Sequence, residues 1–252
     1  MIRGLYSAVS GMLTAVRRME VATNDLANAQ TTGYKAERTS SATFAEQLVR
    51  RLDGSANNRA LGTLALSNAP EEPELDMSQG SLQQTGRQLD VALEGPGFLA
   101  IQTEDGAARF TRDGSLTRDA LGYLTTSTGA LVLGEDGPLQ VPPGAVAINP
   151  DGTVMSGETR IGHLLTVEFA SGTQLTKLGN NELVPTDANA SPIASNTAAV
   201  RQGFVEASNV DLTGTLTTVL ELQRAYEANQ RMIQYQDQIT GRAVNDIAQP
   251  TR

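Results

Sequence analysis

Near the N-terminus, Leu5, Val9, Met12, Val16, Met19, Thr23 and Leu26 recur in alternating steps of four and three, and all but Thr23 are apolar. An α-helix gathers such positions onto one narrow face, at the spacing of a seam between two paired helices. Ser10, Thr14, Arg17, Arg18 and Glu20 lie between them and suit a wetter face. The pattern predicts a helix over about residues 4–28. Such a stripe serves either the core of its own domain or a partner helix. Toward the C-terminus the pattern returns: Leu212, Leu216, Val219, Leu222, Tyr226 and Ile233 form a stripe, which Ile239, Ala243 and Ile247 extend. Asn229 and Gln236 stand where apolar residues are expected. A polar residue in a seam fixes register at a cost in stability; the alternative is a stripe drifting to the surface. Asp211 or Thr213 could cap this helix, Gly241 weakens its last turns and Pro250 marks its end.

Between the two helical ends the period changes. Asp105-Gly106, Asp113-Gly114, Asp136-Gly137 and Asp151-Gly152 are tight-turn signals, because glycine accepts positive φ at little cost. Short apolar runs separate them: Leu89–Leu93, Phe98–Gln102, Tyr123–Thr125, Leu131–Leu133, Ala145–Ile148 and His163–Phe169. Strands and turns at these spacings predict an all-β domain over residues 81–203, antiparallel for the most part. In residues 36–80, Phe44, Leu48 and Leu52 could share one short helical face, and Gly54–Pro73 reads as loop or linker. The expected fold class is α+β. Residues 1–35 form an N-terminal assembly helix and turn, 36–80 a linker or extension, 81–203 the β-domain and 204–252 a C-terminal assembly helix. The two long helices pair as a coiled-coil-like inner domain.

Composition removes most chemistry. The chain of 252 residues carries 19 Lys+Arg against 28 Asp+Glu, a net charge of −9. That balance argues against a nucleic-acid partner, which needs a concentrated basic face. Cys is absent and His occurs once, at His163, so disulfides, thiol catalysis and multi-His metal centres are excluded. No apolar run is long enough for a membrane-spanning helix. The N-terminus lacks the continuous apolar core of a secretory signal, which points to the cytosol or to export that reads no cleaved signal. His163 sits in a strand-like run, no nucleophile elbow is present, and Gly95-Pro96-Gly97 lacks the spacing of a phosphate loop. Carboxylates are plentiful, but no pair stands out from turn or surface roles. We expect no catalytic residue, no cofactor and no metal site, hence no enzyme.

Both ends carry recognisable strings. Ala22-Thr23-Asn24-Asp25-Leu26-Ala27-Asn28-Ala29-Gln30-Thr31-Thr32-Gly33-Tyr34-Lys35 resembles the N-terminal signature of the bacterial flagellar rod and hook family, with Asp25 and Gln30 departing from its usual residues. Gly203–Val210 is similar to the segment before that family's last helix, and Gln223-Arg224-Ala225-Tyr226-Glu227-Ala228-Asn229 to the helix itself. Leu89–Gly95, Phe110–Ser115 and Pro150–Val154 match its β-domain. The resemblance covers nearly the whole chain in order and identifies a member of the flagellar basal-body rod proteins. The proximal-rod (FlgF) type is favoured, through the Leu131–Pro142 region; the Gln223–Glu227 string looks more like the distal-rod (FlgG) type.

The resemblance implies a structural subunit of the periplasmic rod in the flagellar basal body. Such a subunit leaves the cell through the flagellar type III export apparatus, without a cleaved signal, and assembles with copies of itself and with other rod and hook proteins. An open head-to-tail interface makes a helical tube, with the terminal helices inside, serving as a drive shaft. Ordering the two ends costs ~1–2 kcal/mol per residue, so they are expected to stay largely unfolded until neighbouring subunits cover their apolar faces. Asn24, Asn28, Gly33 and Tyr34 are expected to turn the chain from helix to linker. Two other readings fit the residues: a secreted β-domain adhesin oligomerised by its helical ends, and, with less support, a wall hydrolase using two carboxylates.

Overall fold

A computed structural model of the protein describes residues 2–39, 41–43, 47–50, 60–64, 68–70, 73–170, 172–187, 190–195 and 197–248. The chain divides into two compact units. One comprises Met1–Leu26, Glu37–Pro73 and Asp211–Arg252; the other comprises Ala27–Ala36 and Glu74–Val210. The first contains both long helices and the second is built of strands, so the fold is α+β.

In the first unit, helix α1 spans Ile2–Ala27 and helix α2 spans Leu212–Ala248. Asp211 caps α2: its Oδ1 accepts the N–H of Thr213 at 3.1 Å, satisfying a donor that the first turn would leave open. The helices pack together, with the amides of Gln236 and Asn229 lying against Gly4 and Gly11. Residues 36–80 differ from expectation. Gln47–Arg50 is a strand paired antiparallel with Ala60–Leu64, and Ser41–Thr43 pairs with Asn68–Pro70. Leu48 therefore lies on a strand rather than a helical face, and the expected loop at 54–73 contains two strands. A helix of that length is too short to offset its own nucleation, whereas a returning chain satisfies the same backbone groups. Phe44 and Leu52 lie outside the described residues.

In the second unit the main sheet runs Thr117–Arg118, Leu124–Thr125, Leu131–Gly134, Phe98–Gln102, Ala108–Thr111, Glu182–Pro185, Leu175–Gly179, and each of these pairings is antiparallel. Val146–Ile148, Thr153–Ser156 and Thr159–His163 form a separate meander. Val91–Glu94 pairs with Ala199–Gln202, and Leu82–Gln84 with Phe204–Glu206. One apolar cluster gathers Val91, Leu99, Ile101, Leu116, Leu124, Val132, Val141, Val154, Leu164 and Val200; another gathers Phe98, Phe110, Val167, Leu175 and Leu183. Leu99 and Phe98 fall in different clusters because successive strand residues face opposite sides.

The turn signals hold with one exception. Gly106, Gly137 and Gly152 have φ of +78°, +121° and +88° and sit in tight connections between paired strands. Gly114 has no such φ. A Cβ there would collide with the carbonyl oxygen of Val91, so this glycine is needed for close backbone approach.

Candidate assembly site

The residues expected to serve assembly fall into two groups: those on the helix surfaces, and those of the N-terminal motif anchored in the β-domain.

On α1, Ala8, Ala15, Ala22 and Asp25 are buried and Gly4, Gly11 and Arg18 are half-buried. This inward stripe keeps steps of four and three, but it lies one residue before the stripe of large apolar residues read from the sequence. Of those, Met12, Val16, Met19 and Leu26 are half-buried at its edge, while Leu5, Val9 and Thr23 are exposed. Leu5, Tyr6, Val9 and Leu13 are 41%, 67%, 38% and 63% exposed; at about 100° per residue they point away from the Gly4–Gly11 face. On α2, Leu222 is buried, and Val219, Tyr226, Asn229, Ile233 and Gln236 are half-buried. Leu212, Leu216, Leu220, Met232, Tyr235 and Ile239 are exposed. Of the C-terminal family string, Gln223, Arg224, Ala225 and Glu227 are exposed and Tyr226 is half-buried. The pair thus buries alanine together with Val21 and Leu222, and leaves a separate set of large apolar side chains outside.

The N-terminal motif runs from helix into the β-domain. Asn24 and Ala27 are exposed, and Asn28 accepts a hydrogen bond from the Thr31 hydroxyl at 3.2 Å. Gly33 takes φ of +67° and donates its N–H to the Glu206 carbonyl at 2.8 Å. A Cβ on it would collide with the Arg112–Asp113 backbone, so both conformation and space require glycine here. The Thr32 hydroxyl donates to Asp113 at 2.7 Å, and Asn181 donates to the Thr32 carbonyl at 2.8 Å. Tyr34 is buried beneath Lys177, whose Nζ lies 3.9 Å from the ring centre; an ammonium over an aromatic face is attracted by the ring quadrupole.

Lys35 is buried with Glu206 and Arg112. Its Nζ donates to Glu206 Oε1 at 2.6 Å and to the Ser78 carbonyl at 2.7 Å. Glu206 Oε1 also accepts from the Gly80 N–H at 2.8 Å, and its Oε2 accepts from Arg112 Nη1 at 3.0 Å. Burial pushes the Lys35 ammonium below the ordinary lysine range; the hydrogen bond and charge of Glu206 oppose that, and the Arg112 charge adds to it. Arg112 also donates to the Gly95 carbonyl at 2.7 Å and lies over the Phe98 ring. Asn209 closes the junction, donating to the Asp76 carbonyl at 2.8 Å and accepting from the Ala36 N–H at 2.7 Å.

Sequence reasoning named Lys35 and Gly33 but gave no role to Glu206, Arg112 or Asn209 and read Asp113 only as a turn residue. The signal was present: all four stand inside the strings that carried the resemblance, and Glu206 interrupts an apolar run as a charged residue. His163 ends the strand Thr159–His163, with Nδ1 3.0 Å from the Leu164 carbonyl and 3.7 Å from Glu135. Among the described residues no cluster of His, Asp and Glu has the makings of a metal centre, and no helix is long and apolar enough to cross a membrane.

Comparison with known proteins gives the same order of segments. The flagella basal body rod protein family matches residues 5–35, the flagellar hook protein FlgE/F/G D1 domain matches residues 92–156, and the flagellar basal body rod FlgEFG protein C-terminal family matches residues 201–246. The chain is 33% identical to the flagellar basal-body rod protein FlgG of Buchnera aphidicola (subspecies Schizaphis graminum), over 95% of this chain and 97% of that protein. It is 32% identical to FlgF of Caulobacter vibrioides over 98% of each, and 33% identical to FlgG of Bacillus subtilis over 97% and 99%. FlgF and FlgG stand equally near, and the chain belongs to the flagellar basal-body rod protein family, a family of structural proteins.

Proposed function

We propose that the chain is a rod subunit that assembles head-to-tail with its own copies and with other rod and hook proteins into a helical tube. It reaches that site through the flagellar type III export apparatus, and its terminal helices pair coiled-coil fashion along the inside of the tube. The observation that carries this reading is the division of the helix surfaces. Packing α1 on α2 leaves Leu5, Tyr6, Val9 and Leu13 uncovered on α1, and Leu212, Leu216 and Leu220 uncovered on α2. A row of large apolar residues in water is a liability unless another surface covers it. Each side chain fully covered contributes ~1.5–3 kcal/mol. An unclosed repeat of one such contact gives a filament.

The test is Leu13→Asp. Leu13 lies on the outward face, so the variant is expected to keep its β-domain and its secretion but to yield basal bodies without a completed rod. Normal motility in that strain would contradict the reading. We further propose the proximal position in the rod, supported by the Leu131–Pro142 region and by the lack of a clear Gly-rich stretch in residues 54–80. Expression in strains deleted for each rod protein is expected to restore motility to the FlgF deletion; rescue of the FlgG deletion alone would assign the distal position.

A further inference from the structure

We infer that Asn229 and Gln236 are register keys, and that Gly11 and Gly4 are the notches they fit. The inference rests on the pairing of the two helices within one chain, whatever the chain assembles into. Gly4 and Gly11 are the only glycines of α1, and each costs its helix ~1 kcal/mol relative to alanine. Asn229 and Gln236 are the amides that interrupt the apolar stripe of α2. These four locally unfavourable residues meet in pairs. Gln236 lies against Gly4 and Asn229 against Gly11, and the pairs are separated by seven residues on each helix.

In the observed rotamers each amide occupies the space that glycine leaves open. A Cβ on Gly4 would collide with Nε2 of Gln236, and one on Gly11 would lie 3.0 Å from Nδ2 of Asn229. The Asn229 side chain is held in place by donating to the Ala225 carbonyl at 3.0 Å. Oε1 of Gln236 is buried without a hydrogen-bond partner. An unpaired buried acceptor costs stability, so this amide is not retained for stability. Sliding the helices by half a repeat would bring both amides onto Ala8 and Ala15, where methyl groups fill the notch. Sliding them by a whole repeat would set Asn229 against Arg18. One register accommodates both amides, and that register decides which apolar residues face outward. A seam made of alanine and leucine alone would tolerate several.

Because the chain has no cysteine, introduced pairs report register without background. In the full chain, Ala8→Cys with Ile233→Cys reports the observed register, and Ala15→Cys with Ile233→Cys reports a slip of one repeat. With the amides intact, only the first pair is expected to form a disulfide under mild oxidation. In the Asn229→Leu/Gln236→Leu background both pairs are expected to form, and helical circular dichroism is expected to melt at a higher temperature. Exclusive formation of the first pair in the leucine background would overturn the inference. So would equal formation of both pairs with the amides intact, formation of neither, or a lower melting temperature for the leucine variant.

Discussion

At the residue scale, Glu206 organises the anchor of the N-terminal motif. It takes hydrogen bonds from Lys35, Arg112 and the Gly80 N–H with almost no access to water. Two cations share this carboxylate, and burial together with the Arg112 charge holds the Lys35 ammonium below its usual range. The unfolded chain therefore binds that proton more tightly than the folded one. The stability deficit is complete below the folded value and is relieved as pH rises toward the ordinary lysine range. Urea unfolding of the wild type and of Lys35→Met should show the wild type gaining on the variant as pH climbs through that window. A gap that stays constant with pH, or moves the other way, would refute the assignment. The motif itself was legible in the sequence, with Gly33 among the residues expected to turn the chain. Its partners were not, because Lys35 and Glu206 stand 171 residues apart and no local pattern joins them.

At the scale of elements, the pattern located both helices and six of the strands, but not Ala108–Thr111, Thr153–Ser156, Leu175–Gly179 or Glu182–Pro185. Phe98–Gln102 was read to the residue, and Val146–Ile148 within one. The inward face of α1 was harder to see. Hydrophobic patterning follows large side chains, but the face that meets α2 is lined by Gly4, Ala8, Gly11, Ala15 and Ala22. Small residues let the amides of α2 approach, and a scale that weights size misses them. The strands at 41–70 were missed for a related reason: their pairing is a return of the chain on itself, with composition that reads as loop. Ala15 provides the contrast to Leu13. It is 4% exposed, and Ala15→Asp sets a charge into the helix contact. An uncompensated buried charge costs about 3–5 kcal/mol, so circular dichroism of this variant should show loss of helix while the β-domain melts as before. Retention of wild-type helicity would mean that α1 and α2 do not pack in the way described.

At the scale of the whole molecule, the two units differ in what holds them. The β-domain buries Leu99, Ile101, Leu116, Leu124, Val132 and Leu164 almost completely. On α1 the helix pair offers mostly glycine and alanine to its shared face, with Val21 and Leu222 the large apolar side chains it buries. A buried methyl group contributes about 0.8 kcal/mol, while each residue held in a helix costs ~1–2 kcal/mol of backbone entropy. The pair is therefore expected to be only marginally stable by itself, and the proposed assembly would add the burial of Leu5, Tyr6, Val9 and Leu13. Weak ends would suit the export and the folding on assembly proposed above.

Hydrogen exchange compares the two units in one experiment. In the purified monomer, amides of residues 5–26 and 212–242 should exchange far faster than those of the strand Phe98–Gln102, and should become protected in assembled rods. Helices as strongly protected in the lone subunit as that central strand would contradict folding driven by assembly.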